Sequence, residues 1–246
     1  MNALYFVIAM LAAAIGLLAA WCSGRDVGMR NAAMLQEDSD PTVVLIIREG
    51  PRPGEGKEER EEQDGANFED MSRKAQYKLL WDEYLGKREG AKKLMEWMEE
   101  AGFFESPAST KYHGSYPGGL CQHSLNVAFN ALDLCSLPAF EGVSRNEAVT
   151  AALLHDLYKT GCYWLDDNGR YHYTEAWGMG HGTGSVILAQ RYIKLTDSEQ
   201  IAIRWHMGMY GDADKAGELA NAYKKCPLAM LLHHADMMAT YYGGEG

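Results

Sequence analysis

Apolar positions recur at helical spacing in two separated stretches of the chain. The first, Ala3 to Cys22, is a run of 20 residues without a charge, long enough as a helix to cross a hydrocarbon layer about 30 Å thick. Arg25 and Arg30 follow it and nothing basic precedes it, so the positive-inside rule puts the remainder of the chain in the cytoplasm, anchored to the inner face of the membrane by residues 3–22. A signal peptide is the rival, but this segment has no basic lead and its apolar run exceeds a usual h-region. A buried helix or a wrongly chosen start codon is the other alternative.

The second stretch begins at Met71. Ser72 to Tyr84 places Ala75, Leu79 or Leu80, and Tyr84 on one helical face, and Ala91 to Met98 does the same with Leu94, Trp97 and Met98. Further helices are expected at 119–136, 145–158, 183–194, 197–207 and 227–242. The capping-box patterns Ser144-x-x-Glu147 and Thr196-x-x-Glu199 set two of the starts. One hairpin interrupts the series: Cys162 to Leu165 and Tyr171 to Thr174 flank Asp166-Asp167-Asn168-Gly169, and Asn-Gly supplies the left-handed turn a tight hairpin needs. The fold class is all-α, a helical bundle with one small β-hairpin insertion.

Between the stretches the composition shifts. Gln36 to Asp70 holds Pro41, Pro51, Pro53 and the run Lys57-Glu58-Glu59-Arg60-Glu61-Glu62, which reads as a disordered acidic linker. Inside it Thr42 to Ile47 is a β-branched apolar run, either a short docked strand or a sticky linear segment. The domain division is 1–24 (hydrophobic segment), 25–70 (linker) and 71–246 (helical domain).

Composition adds three constraints. The chain has 246 residues, is 47% hydrophobic and carries a formal charge of -11, so it can bury a core but lacks the basic surface that holds long nucleic acid. The linker accounts for -8 of that charge and residues 1–35 for +1, leaving -4 on 71–246. Small phosphate esters therefore remain open as ligands. Five cysteines, Cys22, Cys121, Cys135, Cys162 and Cys226, form no CxxC and suggest neither a disulfide framework nor a zinc ribbon.

The chemistry lies in histidines and aspartates within apolar helices. All eight histidines fall beyond residue 112. His123 enters the helix of GGLCQHSLNVA, His155 and Asp156 end the apolar AALLHD, and Asp236 lies in LLHHADMMA. A carboxylate in an apolar stripe is costly to bury unless it meets a cation. Imidazole and carboxylate without thiolate suit a divalent ion such as Mn, Fe, Co, Ni, Zn or Mg. His181 and His206 are candidates for a second ion, with Asp156 bridging. His233, three residues before Asp236, serves equally as ligand or as a supporting hydrogen-bond partner. His113, His172 and His234 read as structural. Tyr158, Tyr163, Trp164 and Trp177 read as packing before base stacking, and Arg204 as a solvated helix face before a phosphate contact.

The ordered series His123, His155-Asp156, His181, His206, Asp236 resembles the HD superfamily of metal-dependent phosphohydrolases over residues 100–242. The resemblance implies that His123, His155, Asp156 and Asp236 ligate a principal metal, that His181 and His206 match the extra histidines of dinuclear branches, and that Lys159 neutralises a phosphate oxygen. Asp156 and Lys159 are then the catalytic residues. The region of His113 and Gly118-Gly119 is similar to a bacterial exoribonuclease branch, whereas the GYP motif of the cyclic-dinucleotide branch is missing after the later histidines. The function so implied is metal-dependent hydrolysis of a phosphate ester, a nucleotide or short oligonucleotide, with one or two divalent ions; the alternative is a degenerate module that binds a nucleotide as a membrane-tethered sensor.

Overall fold

Side-chain caps fix where several helices begin. The Ser72 hydroxyl accepts from the Ala75 N–H and that of Ser144 from the Glu147 N–H, each filling an orphan donor of a first turn. At Thr196 the capping box is complete: its hydroxyl accepts from the Glu199 N–H while the Glu199 carboxylate accepts from the Thr196 N–H. The box read at Ser144 is only half made, because Glu147 turns to accept a 2.7 Å hydrogen bond from the Thr196 hydroxyl.

The structure is a computed structural model that describes residues 68–110, 114–210 and 215–243. The proposed span 3–22, the run Thr42 to Ile47, the linker up to residue 67, and His113 lie outside the described residues. Among the described residues no helix is long and apolar enough to cross a membrane, so nothing there supports a transmembrane segment.

Those residues form eight α-helices and one hairpin: α1 (Arg73–Tyr84), α2 (Ala91–Glu100), α3 (Gly119–Leu134), α4 (Arg145–Leu154), β1 (Tyr163–Leu165), β2 (Tyr171–Tyr173), α5 (His181–Ala189), α6 (Asp197–Trp205), α7 (Ala216–Lys225) and α8 (Pro227–Tyr242). The all-α class and the hairpin agree with the sequence reading. Leu165 pairs with Tyr171 and Tyr163 with Tyr173, and the Thr174 N–H to Cys162 carbonyl bond carries the pairing one step further.

Helices α3, α4, α6 and α8 make the centre of the bundle, with α1 laid on α3 and α4 and α7 on α8. Helix α4 is buried from Ala148 to Leu154. Its alanines let neighbours approach closely on every side, which is why its sequence is apolar all round rather than striped.

Three sequence expectations are corrected. The buried face of α1 is Gln76, Tyr77, Leu80 and Trp81, so of the expected Ala75, Leu79 or Leu80, and Tyr84 only Leu80 lies on it, because Tyr77 packs edge-on against Phe104 and beside Phe103. Helix α7 was not expected; only Leu219 of it is buried, too little apolar periodicity to read. The expected 145–158 helix stops at Leu154 and resumes as a 3-10 turn, Leu157–Lys159, with Asp156 between them at φ -107°, ψ 14°. That break positions the site.

Candidate metal centre

Adjacent residues of a regular helix point about 100° apart, so His155 and Asp156 cannot both face one centre while α4 continues. The chain leaves the helix at His155 and Asp156 takes the sparsely populated bridge conformation. The last carbonyls of α4 then need other donors. The His155 Nδ1–H donates to the Ala152 carbonyl at 2.7 Å, and the Tyr77 hydroxyl, fully buried, donates to the Leu153 carbonyl at 2.7 Å. Both side chains of the pair are thereby turned inward.

His206 repeats the device at the end of α6. Its Nδ1–H donates to the Ile203 carbonyl at 2.7 Å, leaving Nε2 as the lone-pair nitrogen aimed at the centre. His233 donates from Nδ1 to the His206 carbonyl at 2.6 Å. It therefore supports the His206 backbone, and it belongs to none of the converging ligand groups among the described residues. His181 opens α5, which lies so close to its neighbours that a Cβ on Gly184 would meet the Tyr158 ring at 2.5 Å and one on Gly182 the Arg204 carbonyl oxygen at 2.8 Å. Those two glycines bring His181 up to Asp156.

All six predicted ligands converge. His123 Nε2 lies 3.2 Å from His155 Nε2, 3.1 Å from Asp236 Oδ1 and 3.6 Å from Asp156 Oδ2. On the other side of the same carboxylate, Asp156 Oδ1 lies 3.5 Å from His181 Nε2 and 3.6 Å from His206 Nε2. Asp156 thus turns one oxygen to each of two donor sets. Lys159, the predicted phosphate partner, sits at the rim with its Nζ 2.7 Å from Asp156 Oδ2 and 3.3 Å from the Ala108 carbonyl.

The donors fit a cation on three grounds. His123, His155 and Asp156, then His155, His206 and Asp236, and then Asp156, His181 and His206 each bring ligand atoms within 4.8 Å of one another. Asp156 Oδ1, His181 Nε2 and His206 Nε2 are buried without a hydrogen-bond partner, and three such orphans facing one another are expensive unless something positive lies among them. Finally, both aspartates are held as carboxylates. Burial acts to lower the His155 pKa, yet Asp156 and Asp236 reverse this and raise it. Burial likewise acts to raise both aspartates, but Lys159 and His155 hold Asp156 well below the carboxylate range, and His123 does the same for Asp236.

The other two histidines behave oppositely. Burial, helped by Lys159, pushes His181 down to about 3, and burial, helped by His155, pushes His206 down to about 4. Both are neutral in the folded protein and take protons in the unfolded chain below its usual value of 6.5. Metal-stripped protein should accordingly lose stability as pH falls from 6.5 toward about 4. His155, raised, works in the opposite sense, but one such group stands against two; the aspartates add a further loss below about 3.8. Urea midpoints of chelator-treated protein between pH 7 and roughly pH 4.5 check this, with a falling midpoint expected.

Among the described residues, two cavities border the centre. One of about 190 Å³ is lined by His123, Lys159, Asp236, Met207, Met237 and Tyr210, the other of about 280 Å³ by Tyr116, Gln122 and Asn126; His123, Thr240 and Tyr241 border both. The sequence reading missed Gln122, Asn126, Thr240 and Tyr241. Its available signal was Gln122 and Asn126 bracketing His123 on an otherwise apolar helix. The remaining candidates lie elsewhere. Arg204 stacks over Trp205 at 4.3 Å, Trp164 stacks on His172, Trp177 packs on Tyr158, and the Tyr163 hydroxyl donates to the Ala108 carbonyl. His234 bonds its own helix at the Met230 carbonyl.

Comparison with known proteins bears on the same residues. The family model described as HD domain matches residues 120–241, a span that contains every one of the six converging ligands. The chain belongs to the HD family. A curated relative of this HD protein, the dihydroneopterin 2',3'-cyclic phosphate phosphodiesterase of Methanocaldococcus jannaschii, is 33% identical over 85 residues, 33% of this chain. The match covers 34% of that protein, so the HD chain spans about a third of its relative's length. No solved structure matches it significantly.

Proposed function

We propose that this HD protein is a metal-dependent phosphohydrolase whose substrate is a small phosphate ester, a nucleotide or short oligonucleotide, and that residues 71–246 are its catalytic domain. The observation that carries this reading is the division of the Asp156 carboxylate between two histidine sets beside a cavity with Lys159 in its wall.

His123, His155, Asp156 and Asp236 would hold one divalent ion, and His181, His206 and Asp156 a second. Such an ion supplies Lewis acidity toward a phosphoryl oxygen and lowers the pKa of water toward neutrality. The chain's own residues do the rest. Lys159 is placed to neutralise a phosphoryl oxygen from the cavity wall, moving its charge from Asp156 to the ester. Met207 and Met237 line the same cavity and set apolar surface beside the phosphate, which strengthens the Lys159 contact. The Ala152 and Ile203 carbonyls fix the ring planes of His155 and His206, so neither of these two has to reorient when substrate arrives. The relative's name describes a phosphodiesterase of dihydroneopterin 2',3'-cyclic phosphate, which supports a small ester.

The test is purified full chain, reconstituted with Mn²⁺, Fe²⁺ or Co²⁺, against nucleoside monophosphates, 2',3'-cyclic nucleotides and dinucleotides. Release of phosphate or of an opened monoester from at least one class is the expected result. Nucleotide binding without product would favour the sensor reading instead.

A further inference from the structure

The larger cavity is unlike the one beside Lys159. Among its described lining residues none is Lys, Arg, Asp or Glu. It is built around two amides one turn apart on α3. The Asn126 Nδ2 donates to the Gly243 carbonyl at 3.1 Å, and its Oδ1 accepts from Gln122 Nε2 at 2.8 Å.

This relay fixes both amide orientations by chemistry alone. A carbonyl can only accept, so Asn126 must present its NH₂ to Gly243; its oxygen then faces Gln122, which must answer with its own NH₂. Gln122 Oε1, an acceptor, and the second Nε2 hydrogen, a donor, are not used by this relay. Such a pair is complementary to the donor and acceptor edge of a nitrogen heterocycle, as when a glutamine amide reads adenine. Tyr116 and Tyr241 belong to the same cavity, and aromatic rings are the side chains on which a heterocycle's π surface stacks. His123, one residue after Gln122 on α3, reaches the metal centre, and it borders both cavities.

We infer that the cavity of Tyr116, Gln122, Asn126 and Tyr241 is a binding site for the base of the substrate, with Gln122 as the specificity-determining residue that reads an amide or amidine edge. The inference rests on the phosphohydrolase reading for what happens to the phosphate, but not for the binding of the base. Phosphate lies against Lys159 and the base against Gln122, with Thr240 and Tyr241 at the junction. Sugar phosphates that lack a base leave Gln122 unpaired and are poor substrates.

Binding and turnover test this separately. Adenosine, inosine and uridine, which carry no phosphate, are titrated calorimetrically into metal-stripped full chain and its Gln122→Leu and Tyr241→Ala variants. Nucleosides should bind the wild type, and Gln122→Leu should weaken that binding roughly tenfold or more. Tyr241 is largely exposed on the last turn of α8, so Tyr241→Ala spares the core, and it should weaken binding severalfold. In reconstituted enzyme the kcat/KM ratio of nucleoside monophosphate over ribose 5-phosphate should fall by a similar factor in Gln122→Leu, through KM more than kcat. Absence of nucleoside binding, or equal affinity in all three proteins, overturns the inference, as does equal kcat/KM for base-bearing and baseless phosphates in the wild type. Nucleoside binding that depends on Gln122 in a protein inert toward every phosphate ester sustains the base site and sinks the hydrolase reading.

Discussion

Asp156→Asn should lower kcat by roughly 10³-fold or more, with bound metal falling in parallel. Asp156 is the one residue that turns its two oxygens to both histidine sets. Supporting groups around a metal typically contribute 10–100-fold in affinity, and a bridging carboxylate contributes to two sets at once. Asn keeps the shape and one oxygen but removes the charge that offsets Lys159 and draws a cation. The backbone device at the end of α4 rests on His155 Nδ1 and the Tyr77 hydroxyl, neither of which the substitution touches. Helical circular dichroism of the chelator-treated variant should therefore match wild type. Metal content by elemental analysis and initial rates on the best substrate check the prediction; retained turnover would remove Asp156 from the centre.

The largest effect on stability is expected far from the metal. Arg88, in the loop between α1 and α2, makes a bidentate pair with Glu199 at 2.6 and 2.9 Å and also donates to Asn146 Oδ1 at 2.9 Å. Glu199 is fully buried while the Arg88 side chain is 22% exposed. Arg88→Met leaves a buried carboxylate with the Thr196 N–H as its remaining partner. Removing one member of a buried pair costs about 3–5 kcal/mol, and the partial exposure of Arg88 puts this case near about 3. Glu199→Gln should cost less, because the amide oxygen can still accept from Thr196. Urea unfolding in the presence of chelator measures both; an Arg88→Met cost below about 0.5 kcal/mol would show the pair to be worth no more than a surface one.

What could be read from the chain follows a physical divide. His123, His155, Asp156, His181, His206 and Asp236 were legible because a charged or metal-binding group among Leu and Ala is costly without a purpose, and local sequence displays that cost. The helices that bury a regular stripe were legible for the same reason. The break at Asp156 was not. No Gly or Pro marks it, and the donor that satisfies the Leu153 carbonyl is Tyr77, 76 residues upstream. The face of α1 was read only in part, at Leu80, because Tyr77 and Trp81, amphipathic by type, are more buried than Leu79. Gln122 and Asn126 escaped notice because their meaning depends on the Gly243 carbonyl, 117 residues from Asn126. Long-range partners decide these features, and a local pattern does not contain them.

The proposed function requires that the histidines and aspartates clustered on α3, α5 and α8 and just past the ends of α4 and α6 hold divalent metal, and that hydrolysis depends on it. It is tested most directly by titrating Mn²⁺ into metal-stripped full chain while ion stoichiometry and phosphate-ester hydrolysis are followed on the same samples. The expected result is one or two ions bound per chain, with product formation absent at the start and rising in step with occupancy. Hydrolysis that proceeds unchanged in the stripped protein, or a chain that takes up no ion, would contradict it.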